Sequence, residues 1–225
     1  VLRFNNRDDE ASLRAAIVEC GRIAYQRGLL AANDGNISVR MADGNVLITP
    51  SGLCKGRLQP QDLLVVDLDG NLLRPAADPS LRVTSEQPMH LEVYRRRDDV
   101  HAVLHAHPPY AVALTVAGRE LRNDLVPEVI LLIGAVPVTH LALPASPEDA
   151  EVIRELIAEH DVIMLRQHGS LTVGRNLDEA LIHLERLEQV AQVQVLAEMM
   201  GNVQALPAEM QTELWQMHVR MRARS

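Results

Sequence analysis

Apolar and polar positions along this chain follow two different periods, and the switches between them mark out its elements. Over residues 9–27, Leu13, Ala16, Ile17, Cys20, Ile23 and Ala24 recur at helical spacing, and Gly28 closes the pattern. Asn33-Asp34-Gly35-Asn36 then reads as a tight turn in which Gly35 permits a positive φ. Two short strands, 37–40 and 46–49, flank Ala42-Asp43-Gly44-Asn45, a hairpin signal with Asp-Gly at its centre. The second strand runs into Pro50-Ser51-Gly52, and 63–67 reads as another buried strand ending near the Asp69-Gly70 turn.

Thr84 with Gln87 three residues later fits a capping box, and the apolar Met89, Leu91, Val93 and Tyr94 follow, which predicts a helix starting there. On these residues alone its N-terminus need do no more than cap; as a positive dipole end it also suits an anion. The run 100–107 predicts a strand that Pro108-Pro109 stops, and 110–117 continues as an apolar helix. The apolar runs 125–132 and 136–141 show no clear period and predict strands separated by Gly134. Ser146-Pro147-Glu148-Asp149 predicts a helix start, with a hydroxyl at the N-cap and Pro after it, running to about His160. A strand at 162–165 leads to Gln167-His168-Gly169, and Asn176 caps a long helix with Leu177, Leu181, Leu184, Leu187, Ala191 and Val195 on its buried stripe. After Pro207 a last helix bears Trp215 and His218, followed by a basic tail. Interleaved strands and helices, together with the hairpin, predict one domain over 1–225: a three-layer α/β/α arrangement around a mixed, largely antiparallel sheet.

Composition narrows the functions open to such a domain. Hydrophobic residues are 47% of the 225 but aromatics only 2%, so the core is aliphatic and there is no stacking platform for bases. A net charge of -8 also disfavours a nucleic-acid partner. A small anionic substrate would need a local positive site to overcome that charge. Cys20 and Cys54 are too few for a disulfide framework. No apolar run approaches the roughly 20 residues of a membrane span, and the first ten residues carry no signal-peptide pattern. The expectation is a soluble cytoplasmic protein that binds no membrane.

The chemistry is concentrated in His105-Ala106-His107. On a strand, alternate side chains share a face, so the two imidazoles project together as half of a transition-metal site. His168 ends a strand in the same way, with Gly169 leaving room beside it. Three imidazoles with an open position are the arrangement of catalytic zinc, although nickel, cobalt and ferrous iron accept the same ligands. His90 and His183 lie on predicted helices as surface or core residues, His101 is too far along the strand to share the site, and His140 is a further candidate.

Five pieces of the chain carry a family resemblance: Gly35-Asn36-Ile37-Ser38-Val39-Arg40, Thr49-Pro50-Ser51-Gly52, Ser85-Glu86, His105-Ala106-His107 and Gln167-His168-Gly169. In this order and spacing the chain resembles the class II aldolases of the fuculose-phosphate aldolase, ribulose-phosphate 4-epimerase and adducin-head group. The resemblance implies an α/β/α homotetramer with zinc on His105, His107 and His168. It implies a phosphate cradle from Asn36, Ser51, Gly52, Thr84 and Ser85, which favours anion binding at the start of the predicted helix. It also implies Glu86 as the general acid/base.

The activity so implied is cleavage of a ketose 1-phosphate into dihydroxyacetone phosphate and an aldehyde, through an enediolate that zinc stabilises as a Lewis acid. Phosphate binding would supply energy remote from the reacting carbons. The same site suits a sugar-phosphate 4-epimerase, or a decarboxylase or dehydratase of a phosphorylated sugar or keto-acid; other classes are a ferrous-iron oxygenase and an adducin-head-like assembly module. One departure stands out. Fuculose-phosphate aldolases place a Tyr in the segment corresponding to 126–134, where this chain has none, and their Thr-Pro-Gly is replaced by Pro144-Ala145-Ser146-Pro147. His140, Glu128 and His218 are the candidates to replace that acid.

Overall fold

The computed structural model describes residues 9–222. Most of the N-terminal stretch without a signal-peptide pattern, residues 1–8, and the end of the basic tail, residues 223–225, lie outside these residues. Asp9 caps the first helix, α1 (Glu10–Gln26), by accepting from the Ser12 N–H at 2.8 Å. Seven strands follow: β1 (Asn36–Arg40), β2 (Val46–Ile48), β3 (Leu64–Val66), β4 (Leu72–Arg74), β5 (Ala102–Ala106), β6 (Val162–Leu165) and β7 (Gly169–Gly174). They form one sheet in the order β4-β3-β2-β1-β5-β7-β6, and every pair is antiparallel. Among the described residues the one parallel pairing is an isolated bridge between Val138 and Met164.

Strand alternation builds the layers. Ile37, Val39, Leu47, Val65 and Leu104 face α1 and the long helix α6 (Leu177–Met200), which Asn176 caps through the Glu179 N–H at 2.9 Å. Val46, Ile48, Val103, Ile163 and Val173 face α2 (Gln87–Arg96) and the turns bearing Ile153 and Ile157. That is the three-layer α/β/α order. The register pairs Asn36 with His105. Asn36, Ser38 and His105 have the opposite parity to Ile37 and Leu104, so all three project toward α2.

Four predicted elements differ. The run 125–132 is a short helix, α4 (Pro127–Leu132), not a strand. Pro127, with its fixed φ and missing N–H, suits the first helical position, and Val129 and Ile130 are buried. The run 136–141 contributes only the Val138 bridge, because Pro137 offers no N–H to a ladder. α3 (Pro109–Val116) forms as expected, whereas α5 spans only Pro147–Glu151 and then loosens into turns. The capping box at Thr84 does not form. Glu86 stands at the N-cap of α2, and Pro88 removes a donor from its first turn. β4 carried no apolar alternation to reveal it: Leu72 and Leu73 are exposed on an edge strand. The last helix, α7 (Ala208–Arg222), packs against α4. Among the described residues no helix is long and apolar enough to cross a membrane.

Candidate metal and acid–base site

His105 is the last but one residue of β5, His107 lies just past its end, and His168 sits in the tight connection from β6 to β7. Antiparallel pairing of β5 with β7 sets Ala106 opposite Ser170, which carries His168 to the two other imidazoles. Gln167 takes a positive φ of 54° to make that connection. Gly169 is required by space: a Cβ there would fall 2.4 Å from the Ala106 carbonyl oxygen, 2.7 Å from the His107 ring and 2.9 Å from the His105 ring.

The three rings have centroids 4.8, 4.8 and 5.0 Å apart. His105 Nε2 and His107 Nε2 are 3.0 Å apart, and each ring offers a nitrogen within 4.8 Å of the others. Imidazoles on a tetrahedral zinc place their nitrogens about 3.3 Å apart. His105 Nδ1 donates to the Ser170 carbonyl at 3.0 Å, which leaves Nε2 unprotonated and directed at the cluster. His107 Nδ1 lies 3.6 Å from Asp34 Oδ2, so its Nε2 likewise faces inward. Burial, reinforced by the neighbouring imidazoles, holds His105 neutral well below the ordinary histidine range, and burial lowers His107 too. Neutral, oriented imidazoles are what a metal requires, so this set fits a divalent ion.

Glu86 stands against the cluster, with Oε2 at 3.4 Å from His105 Nε2 and Oε1 at 3.3 Å from His168 Nε2. Because His105 is neutral, its contact is not an ion pair. Burial raises the Glu86 carboxyl above its ordinary value, opposed by the Asn36 hydrogen bond, His168 and Lys55. Behind it runs a buried chain of hydrogen bonds. Tyr94 Oη lies 2.8 Å from Ser38 Oγ, which lies 2.7 Å from His90 Nδ1. His90 Nε2 is 2.5 Å from Asn36 Oδ1, and Asn36 Nδ2 donates to Glu86 Oε2 at 2.6 Å and to Thr84 Oγ1 at 3.1 Å. Burial lowers His90 to about 3, so the ring is neutral and every donor in the chain can point toward Glu86.

The residues expected to hold phosphate thus divide in two. Asn36 and Thr84 are buried and engaged with Glu86 and each other, whereas Ser51, Gly52 and Ser85 are exposed on neighbouring loops. The Ser51 N–H donates to the Arg82 carbonyl at 2.9 Å, which draws the 50–53 loop toward the segment leading to Ser85.

A second carboxylate, Asp149 in α5, is 3% exposed and comes within 4.8 Å of both Glu86 and His168 through their ligand atoms. Burial raises it, against the Ala145 N–H that it accepts at 3.2 Å. Sequence reading missed Asp149, which looked like an ordinary first-turn acid, and His90, whose alignment with Asn36 depends on β1 and α2 packing. Lys55 and Asp34 were missed too. Of the candidates for a replacement acid, His140 and Glu128 are exposed, and His218 packs in α7 with Nδ1 near the Leu131 carbonyl at 3.1 Å. Among the described residues none of the three has a hydrogen bond or ion pair to the imidazole cluster. A cavity of about 520 Å³ lies elsewhere, between α4, α6 and α7. There Arg97 is paired with Asp99 and Asp161, and Arg175 with Glu179, and none of the three imidazoles lines it.

Residues 15–195 match the family described as Class II Aldolase and Adducin N-terminal domain. The chain is 35% identical over 173 residues to the L-fuculose phosphate aldolase of Methanococcus maripaludis, covering 76% of this chain and 90% of that one. It is 34% identical over 195 residues to the methylthioribulose-1-phosphate dehydratase of Methylococcus capsulatus, covering 80% and 92%. A crystal structure of Escherichia coli YgbL, a proposed aldolase/epimerase/decarboxylase, superposes with a TM-score of 0.82 at 31% identity, covering 92% and 99%. The chain belongs to the class II aldolase and adducin family.

Proposed function

We propose that the protein is a zinc-dependent class II aldolase that cleaves a ketose 1-phosphate into dihydroxyacetone phosphate and an aldehyde. The observation that carries this reading is the placement of one part-buried carboxylate, Glu86, 3.3–3.4 Å from two of three convergent imidazoles. Held by His105, His107 and His168, the ion would polarise the substrate's oxygen atoms and offset the charge that develops on them. Glu86, oriented by Asn36, moves the proton at carbon; its raised pKa brings it nearer the range where a carboxyl both takes and returns a proton. Ser51, Gly52 and Ser85, the exposed members of the cradle, contact the phosphate, with Asn36 and Thr84 fixing the frame behind them. A homotetramer is carried over from the family resemblance, and a cytoplasmic location from the reading of the sequence.

A second reading, dehydration of a ketose 1-phosphate, is favoured by Asp149. Glu86 would remove a proton from the carbon beside the carbonyl, and Asp149 would donate one to the departing hydroxyl. This reading needs no tyrosine in 126–134, and it is the chemistry named for the Methylococcus capsulatus relative. The test is a panel of ketose 1-phosphates and 5-phosphates with the metal-loaded protein. Dihydroxyacetone phosphate release supports the aldolase, loss of water without fragmentation supports the dehydratase, and inertness toward the whole panel ends both.

A further inference from the structure

A phosphorylated substrate brings roughly two negative charges to a chain of net charge -8 whose site already holds Glu86, Asp34 and Asp149. Asn36, Ser51, Gly52, Thr84 and Ser85 include no cation. Lys55 can supply one. Among the 22 lysine and arginine residues it is the only lysine, and it is 2% exposed. Everywhere else the chain uses the planar guanidinium; here alone it uses a compact ammonium on a flexible stem.

Both ends of Lys55 are fixed. Residues Lys55–Arg57 form a single 3-10 turn against α1. A Cβ on Gly21 would come 2.5 Å from the Lys55 carbonyl oxygen, and one on Gly56 would come 2.4 Å from the Tyr25 ring, so glycine at both positions lets the turn seat there. At the other end Nζ donates to the Asn33 carbonyl at 2.7 Å and to the Leu53 carbonyl at 2.9 Å. Those carbonyls belong to the 33–36 turn, which carries Asp34 and Asn36, and to the 50–53 loop, which carries Ser51 and Gly52. An ammonium has three donors, so two carbonyls leave one for an anion. Burial lowers the Lys55 ammonium, and the negative charge of Asp34 and Glu86 at the site opposes that shift.

We propose that Lys55 is the cation that recognises the substrate's phosphate and the strut that sets the 33–36 turn against the 50–53 loop. The assignment rests on the sugar-phosphate reading of the site. Lys55 is a binding and positioning residue with no part in proton transfer, so its loss weakens substrate binding more than it slows the bound substrate.

Because the chain has one lysine, labelling with [ε-13C]lysine gives a single side-chain signal that reports this position. Inorganic phosphate added to the metal-loaded protein is expected to shift that signal saturably, with the same midpoint as calorimetry. Lys55→Gln should weaken phosphate and raise KM by about tenfold or more, the worth of one charge-assisted hydrogen bond, with metal content unchanged and kcat less affected. Lys55→Arg, which keeps the charge but not the shape, should recover part of the loss. A Lys55→Gln protein with unchanged phosphate affinity overturns the assignment. Should that variant fail to fold, the wild-type titration decides: no phosphate binding, or binding that leaves the lysine signal in place, overturns it equally. If no sugar phosphate is turned over but phosphate still moves the signal, the proposed reaction fails and the anion site stands.

Discussion

Asn36 Nδ2 donates to Glu86 Oε2 at 2.6 Å from the first residue of β1, while its Oδ1 is held by His90 from α2. One amide therefore fixes both the position of the carboxylate and its ionisation. Asn36→Ala is expected to lower kcat by about 10- to 100-fold through loss of orientation, with the metal retained. Since the Asn36 hydrogen bond lowers the Glu86 carboxyl, its removal moves that pKa higher. The acid limb of the rate–pH profile should then shift upward, and a limb that stays in place contradicts the assignment of Glu86 as the base.

Glu86→Gln removes the proton carrier while keeping the side chain's shape. Metal content should remain near one divalent ion per chain, and kcat should fall by about 10²- to 10⁴-fold, the usual worth of a general acid/base. Full activity in this variant would move the proton transfer to another group, with Asp149 next in line.

Gly169→Ala tests the metal cradle without touching a ligand atom. The added methyl meets the Ala106 carbonyl and the His105 and His107 rings, so the imidazoles must part. A loss of about 10- to 100-fold in metal affinity is expected, as for disturbed ligand support. His107→Ala should lose metal and activity together. Chelation should lower the thermal midpoint of the wild type, because a metal that binds only the folded chain stabilises it.

His90 makes stability depend on pH. Its folded pKa of about 3 lies below the ordinary 6.5, so between these values the unfolded chain holds a proton that the folded one does not. The stabilisation is complete above about pH 6.5 and is lost as the pH falls toward 3, at up to about 1.4 kcal/mol per pH unit for one proton. Denaturant titrations of metal-free protein across this range should show a slope to which His105 and His107 also contribute, and His90→Gln, which cannot titrate there, should reduce it by the share of one proton.

Much of this was legible in the sequence because it is local. The stripe of α1, the Asp-Gly hairpin, the Asn176 cap and the His105-Ala106-His107 alternation each depend on residues a few positions apart. The segment 125–141 was not, since an apolar run without a period fits a buried strand and a short helix equally, and Pro127 and Pro137 settled it. Thr84 and Gln87 matched a capping pattern, yet Pro88 and the pull of Asn36 turned Thr84 toward Glu86.

The sequence by itself determined most of the elements, the aliphatic core, the family resemblance and the chemical types available: three histidines, a carboxylate and a lone lysine. Only the tertiary structure decided which of them meet. Pairing of β1, β5 and β7 places Asn36, His105 and the His168 turn at one end of the sheet, and α2 brings Glu86 and His90 onto the same face. Asp149 and Lys55 enter from either side of β5 in chain order, through α5 and the turn against α1. Their roles depend on distance and burial, which are set when the layers pack and are written in no single stretch of the chain.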